Sequence, residues 1–298
     1  MRFGELADAS WPRAVRESIP DWIDEIGFAD YGKDWDAILS ALNRPADVFL
    51  RVNTLKSDAA TVIRRLAEDG IEAMLLKDSK ITVRLSVRKN VFITKAFREG
   101  LFEVQDAASQ TVAPMTEAKP GERVIDACAG AGGKTLHLGA LMGNKGRLLA
   151  MDIHEKKLID LRERVSRNGI DIVETRVIES SKTIKRLEAN ADAVLLDVPC
   201  SGLGVLRRNP DSKWKLLPED IDRLTILQGD ILGSYSRMVK PGGRLVYATC
   251  SLLKRENGEQ VQAFLEKNGE HWKLEVEKNH RPDLEGFDGF YAARLRRL

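Results

Sequence analysis

Apolar runs of six or seven residues, each rich in Val, Ile, Leu or Ala and each closed by small or polar residues, recur along the later two-thirds of the chain. They are RVIDAC (123–128), RLLAMDI (147–153), DAVLLDV (192–198) and RLVYATC (244–250). Runs apolar at consecutive positions, rather than at every second one, suit strands covered on both faces. Between them the pattern lengthens to a helical period over 134–141, 155–168, 218–238 and 254–267, with stops predicted at Asn168-Gly169 and Lys240-Pro-Gly-Gly243. Strand, glycine turn and helix in repeated order predict an α/β fold with a mostly parallel, doubly wound, Rossmann-like sheet.

Before about residue 105 the pattern is different. Trp11, Trp22, Trp35 and Phe49 lie in mixed segments, followed by FLRVNT (49–54), a helical pattern over 57–69 ending at Gly70, and a β-rich stretch at 81–94. This predicts a small α+β unit over 1–105 joined to a larger domain over 106–298, with no repeat, low-complexity tract or long linker.

The first strand of the larger domain runs into DACAGAGGKT (126–135), where small residues open a helix. Such a turn lets a ligand approach backbone amides at the positive end of the helix dipole. GKT at 133–135 suggests a phosphate loop, but the first glycine of that motif would fall at Cys128. A nucleoside site remains. Asp152 ends the second strand about twenty residues beyond the glycines, where an acid takes ribose hydroxyls or caps the helix beginning near His154. Dinucleotides and S-adenosylmethionine both use this layout. A hydride-transfer site often adds a catalytic His or Lys, and of His137, His154, His271 and His280 only His154 lies at a strand end.

Composition narrows the class. With 298 residues and 43% hydrophobic content the chain can bury a large core. No apolar run approaches the ~18 residues of a membrane span, and the start, MRFGELADASWPRAVRES, carries acids in place of a signal-peptide core; a cytoplasmic address is expected. A net charge of +2 neither favours nor excludes a polyanion. The basic runs at 157–169, 207–215 and 294–298 have solvated faces as their ordinary origin. Three cysteines without CxxC or Cys/His spacing predict neither disulfides nor a metal site.

Two of those cysteines end apolar runs, in LDVPCSG (196–202) and VYATCSL (246–252). Ligands of open α/β sheets bind outside the carboxyl ends of the strands, so Cys200 and Cys250 can converge on one cleft; each, like Cys128, can also be a small buried apolar residue. Beside a methyl donor a thiol has a particular use. Thiolate addition to carbon 6 of a pyrimidine makes carbon 5 nucleophilic, after which the carbon-5 hydrogen must leave and the enzyme bond must break. A second acid/base group such as Cys200 assists those steps, and Asp197 can hydrogen-bond the ring nitrogen or amino group.

DACAGAGGKT, LDVPCSG, RRNPDSKW (207–214), PGGRLVYATCS (241–251) and DGFYAARL (288–295) resemble, in order, the Sun/RsmB-type RNA (cytosine-5) methyltransferases. RVNT (51–54) and LFEVQDAASQ (101–110) resemble that family's N-terminal module and its junction. The resemblance implies a class I methyltransferase fold, S-adenosylmethionine as donor and an RNA-binding role for the small N-terminal domain. It also implies Cys250 of the TCS motif as nucleophile, with Cys200 of the PC motif assisting release. Cofactor contacts then fall on Cys128, Ala129, Gly130, Ala131, Gly132, Gly133 and Lys134, on Asp152 and Asp197, and near the adenine on Glu179. Two departures stand out: Ala131 replaces a usual proline, and Glu179 replaces a usual aspartate. The helix after TCS begins LLKREN, to which no function is attached.

The target base must be unstacked, so looped RNA is the expected substrate. Ribosomal RNA is the first expectation and transfer RNA the second, with Arg207, Arg208, Lys213 and Lys215 gripping phosphates and Trp214 either stacking on a base or packed inside. Arg51 and Asn53 face either RNA or the domain interface. A monomer is expected. Rival readings are a DNA methyltransferase with Cys200 as nucleophile, a non-catalytic RNA-binding or assembly factor, and a small-molecule methyltransferase.

Overall fold

The structure, a computed structural model, describes residues 11–298. The reading of the chain's start as free of a signal peptide rests in part on residues 1–10, outside that range.

Among the described residues eleven strands form two sheets: β1 (Phe49–Val52), β2 (Ala73–Leu75), β3 (Thr82–Leu85), β4 (Phe102–Val104), β5 (Arg123–Asp126), β6 (Arg147–Asp152), β7 (Val173–Val177), β8 (Ala191–Asp197), β9 (Val239–Thr249), β10 (Trp272–His280) and β11 (Phe290–Arg297). The larger sheet has the order β10-β11-β9-β8-β5-β6-β7, parallel from β9 to β7, with β11 and β10 added antiparallel. Its central strands explain the continuous apolar runs. Ile125, Val194, Leu196 and Tyr247 face one helical layer with Leu232 and Phe264, while Val124, Leu195 and Val246 face the other with Leu138 and Met142. Alternate side chains thus enter two separate cores, as the pleat requires.

The smaller sheet, β2-β3-β1-β4, is antiparallel and backed by the helix Ala59–Glu68, which Asp58 caps by accepting from Thr61 N at 2.8 Å. The helices Asp21–Tyr31 and Asp34–Leu42 belong to neither sheet. Their Ile23, Trp35, Ile38 and Leu42 pack on Leu203, Leu206, Leu252 and Leu253, which lie just beyond the two cysteines of the larger domain.

Several elements differ from expectation. Only 82–85 of the 81–94 stretch is strand, because Thr94 turns to cap a short helix, accepting from Phe97 N. The 218–238 helix ends at Tyr235 in a tight turn, and Lys240-Pro-Gly-Gly243 bulges within β9 between the pairs Ala191–Val239 and Ala193–Arg244. A Cβ on Gly243 would meet Val239 at 2.7 Å, so the bulge requires glycine there. The 254–267 helix breaks at Asn257, whose side chain bonds Thr249 and Ser251 instead of continuing the helix. Of the three outer strands, β10 and β11 are not predicted from the sequence, and β7 is implied only by the resemblance that sets Glu179 after a strand. β7 and β10 alternate in burial, and Arg294 and Arg296 pair across to Glu275, which hides these strands among the charged runs. Among the described residues no helix is long and apolar enough to cross a membrane.

The two sheets meet around Glu103. Its carboxylate, 3% exposed, binds Arg164 at 2.7 Å and Arg167 at 2.5 Å, and accepts from Asn168 Nδ2 at 2.6 Å. Asn53 Nδ2 donates to Asn168 O at 3.0 Å and Arg51 to Gly133 O at 2.6 Å, so both residues serve the interface. Glu103→Ala is expected to lower unfolding free energy by about 2 kcal/mol, below the ~3–5 kcal/mol for breaking a fully buried pair because both arginines keep some solvent; urea denaturation checks it.

Asp126 adds a second, pH-dependent cost. It accepts from Thr135 Oγ1 at 2.7 Å, its other oxygen is buried without a partner, and burial pushes its carboxyl up to about 7. Between its unfolded value near 4 and about 7, the unfolded chain has released a proton that the folded protein still holds, so this group lowers stability as pH rises through that window. Asp126→Asn should gain stability relative to the unaltered protein from about pH 4 to pH 7 and no further above it, measured by denaturation across that range; a constant difference would contradict the assignment.

Candidate active site

Parallel pairing of β8 with β9 sets Asp197 opposite Ala248, and each strand then ends in a loop carrying a cysteine. The Sγ atoms of Cys200 and Cys250 lie 3.3 Å apart. The loops are tied to one another: Gly204 N donates to Cys250 O at 3.0 Å, and Gly289 N donates to Gly204 O at 2.8 Å. A Cβ on Gly204 would meet Gly289 O at 2.2 Å, so only glycine permits this approach.

The neighbouring Cys250 sulfur, burial and the Glu256 carboxylate all raise the Cys200 pKa well above the usual thiol value. Cys200 is therefore held as a protonated thiol, able to donate toward Cys250.

Beside the pair opens a cavity of about 340 Å³, lined by the glycine turn, the end of β6, the β8 loop and the helix Pro218–Tyr235. Of the residues singled out from the sequence, Cys128, Gly130, Asp152 and Asp197 line it. Asp152 accepts from Gly130 N at 2.9 Å with one oxygen and from His154 N at 2.9 Å with the other, so it both braces the turn and starts the helix. Ala129 is buried beneath the turn, and Ala131 is exposed with its carbonyl accepting from Arg164 at 2.6 Å. Gly132, at φ 91°, precedes the helix Gly133–Leu141, and a Cβ there would meet Leu161 at 2.7 Å. Lys134 is not among the residues lining the cavity but pairs at 2.6 Å with Asp197, which is. Burial and the carboxylates of Asp126, Asp197 and Asp152 hold the Cys128 pKa well above the usual thiol value.

Glu179 is not brought to this site. It is exposed and absent from the cavity wall, and the neighbouring Ile178 faces the cavity with Leu227, Ile231 and Tyr235. The basic run after Cys200 also differs from expectation. Arg207 binds Asp288 at 3.0 Å and Arg208 binds Asp106 at 2.9 Å as well as Asp288, so both hold the loop in place, and Lys213 is buried. Lys215 is exposed, as is Trp214 at 56%, so the indole is not packed inside.

Glu256 and Asp288, both buried beside the thiol loops, escaped the sequence reading. Glu256 lies in the LLKREN segment, where its acid among charges gave no signal; Asp288 lies in DGFYAARL, a motif noted without assigning its acid a role. Among the described residues no cluster of three or more His, Cys, Asp or Glu suits a metal ion.

Comparison with known proteins adds a family to this geometry. A family model described as 16S rRNA methyltransferase RsmB/F matches residues 113–296, and one described as the RsmF/B-like ferredoxin-like domain matches residues 19–92. The chain is 34% identical over 268 residues to the probable ribosomal RNA small subunit methyltransferase B of Bacillus subtilis, covering 89% of this chain and 60% of that protein. It is 34% identical over 297 residues to the ribosomal RNA small subunit methyltransferase B of Pseudomonas syringae, covering 94% and 66%. The chain thus spans 60% to 66% of the length of these relatives. A methyltransferase homolog protein from Pyrococcus horikoshii superposes with a TM-score of 0.84 at 29% identity over 99% of both chains. NSun6 from the same organism, solved with SFG, shares the fold at a TM-score of 0.86 and 21% identity, covering 94% of this chain and 98% of that one. With one family model spanning most of the sheet domain and a second the small antiparallel domain, this chain belongs to the 16S rRNA methyltransferase RsmB/F family.

Proposed function

We propose that this protein is an S-adenosylmethionine-dependent RNA cytosine-5 methyltransferase acting on ribosomal RNA, with Cys250 as nucleophile. The observation that carries the proposal is the pair of thiols 3.3 Å apart at adjoining strand ends, beside a nucleoside-sized cavity. Family membership supports RNA over DNA, and the resemblance of VYATCSL to the family's TCS motif supports Cys250 over Cys200.

The residues present fit the cofactor. Asp152 stands where ribose hydroxyls would be taken, Ile153, Ile178 and Leu227 offer apolar walls to an adenine, and the cavity extends to Asp197 and Pro199, next to the thiols. S-adenosylmethionine, when bound, supplies an electrophilic methyl group for carbon 5 of the base.

The chain's own residues do the rest. The target cytosine is flipped out of its stack into the cleft. The Cys250 thiolate adds to carbon 6, moving the electron pair of the 5,6 double bond toward carbon 5. Asp197, fixed by Lys134, accepts from the exocyclic amino group and so orients the base for attack. After methylation the carbon-5 proton leaves to a base or water in the cleft, the double bond re-forms and the Cys250–carbon 6 bond breaks. Cys200 serves this last stage by donating its hydrogen to the departing Cys250 sulfur. Residues 1–105 act with the domain at 106–298 as its RNA-binding module, and Trp214 and Lys215 lie exposed where a flanking nucleotide and its phosphate can meet them.

Cofactor binding is separable from catalysis. Asp152→Ala should weaken S-adenosylmethionine binding by about tenfold to a hundredfold, the range for losing a charged hydrogen bond, as read by calorimetry without RNA. For the reaction, labelled methyl transfer to small-subunit ribosomal RNA and to transfer RNA is compared between variants. Cys250→Ala should abolish 5-methylcytosine formation, whereas Cys200→Ala should slow release by about 10² or more and accumulate a covalent RNA adduct. Activity that survives Cys250→Ala and is lost with Cys200→Ala reverses the two roles; methylation of transfer RNA alone moves the substrate; no transfer to any RNA favours the non-catalytic reading.

A further inference from the structure

Glu256 is fully buried between the loops that carry the two thiols. Its Oε1 accepts from the backbone N–H of Ser201 at 2.8 Å and from Gln228 Nε2 at 2.9 Å. Its Oε2 accepts from the Ser201 hydroxyl at 2.5 Å and from the Ser251 hydroxyl. Ser201 follows Cys200 and Ser251 follows Cys250, so one carboxylate grips the residue next to each thiol. Gln228 Nε2 also donates to Pro199 O at 2.9 Å, on the other side of Cys200. The Glu256 backbone is held as well, Tyr247 Oη donating to its carbonyl oxygen at 2.7 Å.

No lysine or arginine pairs with this acid among the described residues. A buried carboxylate without a cation is costly, and charge-assisted hydrogen bonds are what offset the cost. Here all four come from the two cysteine loops or from the glutamine that braces one of them. The arrangement is more than loop packing requires, because apolar side chains could fill the same space.

We propose that Glu256 is the positioning residue of the thiol pair, clamping Ser201 to Ser251 and thereby fixing the separation and the relative reactivity of Cys200 and Cys250. The catalytic consequence rests on the methyltransferase reading; the clamp itself does not. The charge acts in the same sense as the geometry, because the Glu256 carboxylate helps to keep Cys200 protonated.

The experiment reads the thiol separation directly. Diamide takes up two hydrogens as the thiols of Cys200 and Cys250 become a disulfide, and mass spectrometry locates the link. The unaltered protein should cross-link this pair rapidly. Glu256→Ala should slow cross-linking by about tenfold or more and lower kcat by at least as much, since a misplacement of ~1 Å can cost 10²-fold, while the KM for RNA and the binding of S-adenosylmethionine stay within about twofold. Glu256→Gln, whose amide oxygen can still accept from both N–H donors while its NH₂ meets the hydroxyls, should restore most of the cross-linking rate. If Glu256→Ala does not fold, the paired substitution Ser201→Ala with Ser251→Ala removes both hydroxyl contacts and should show the same slowing. Cross-linking at the unaltered rate in the folded variant would overturn the proposal. Glu256-dependent cross-linking in a protein that methylates no RNA would keep the clamp and remove the methyltransferase reading instead.

Discussion

Everything at the site depends on the register between β8 and β9. Because both strands are buried on both faces, a slip of one residue would exchange the side chains entering the two cores, and the packing forbids it. That rigidity passes to the loops. Asp197 stands opposite Ala248, and the chain travels only two or three residues further on each side before reaching a cysteine. A thiol–thiol distance set this close to the core inherits the precision of the core, which loops alone would not provide.

The rest of the molecule braces those loops from outside. The helices at 21–42 press Trp35, Ile38 and Leu42 onto Leu203 and Leu252, and Tyr31 Oη donates to Leu252 O at 2.6 Å. Asp288 holds Arg207 and Arg208, fixing the segment after Cys200 against the start of β11. Glu103 joins the smaller sheet to the helix Glu155–Asn168, whose Leu161 lies under the glycine turn. The amino-terminal third is therefore divided in its attachments: its helices support the thiol loops, while its sheet supports the cofactor turn.

What could be read from the sequence follows the range of the interaction that creates it. β5, β6, β8 and β9 were legible because two-sided burial writes itself into consecutive residues. The glycine turn and Asp152 were legible because their spacing is local. Arg207 and Arg208 read as phosphate contacts because their partners, Asp106 and Asp288, lie far away in sequence. The same holds for Glu256, five residues beyond Ser251 but fifty-five beyond Ser201, within the LLKREN segment, to which the sequence attaches no function. Glu179 was placed by analogy at a strand end, and the structure gives the cavity wall to its neighbour Ile178. Trp214 defied the ordinary rule that a large indole is packed, because its short helix Ser212–Lys215 buries Lys213 instead.

The surroundings of the three thiols bear on which of them reacts. A thiolate is needed for attack, and low-dielectric surroundings with nearby carboxylates disfavour it. Cys128 lies among Asp126, Asp152 and Asp197 and keeps its proton. Cys200 faces Glu256 and the Cys250 sulfur and keeps its proton too. Cys250 remains, its sulfur 3.3 Å from that of Cys200. In the proposed reaction the Cys200 proton is in place to pass to the Cys250 sulfur when the carbon–sulfur bond breaks, so that two thiols in contact would serve as acid and nucleophile beside one buried carboxylate.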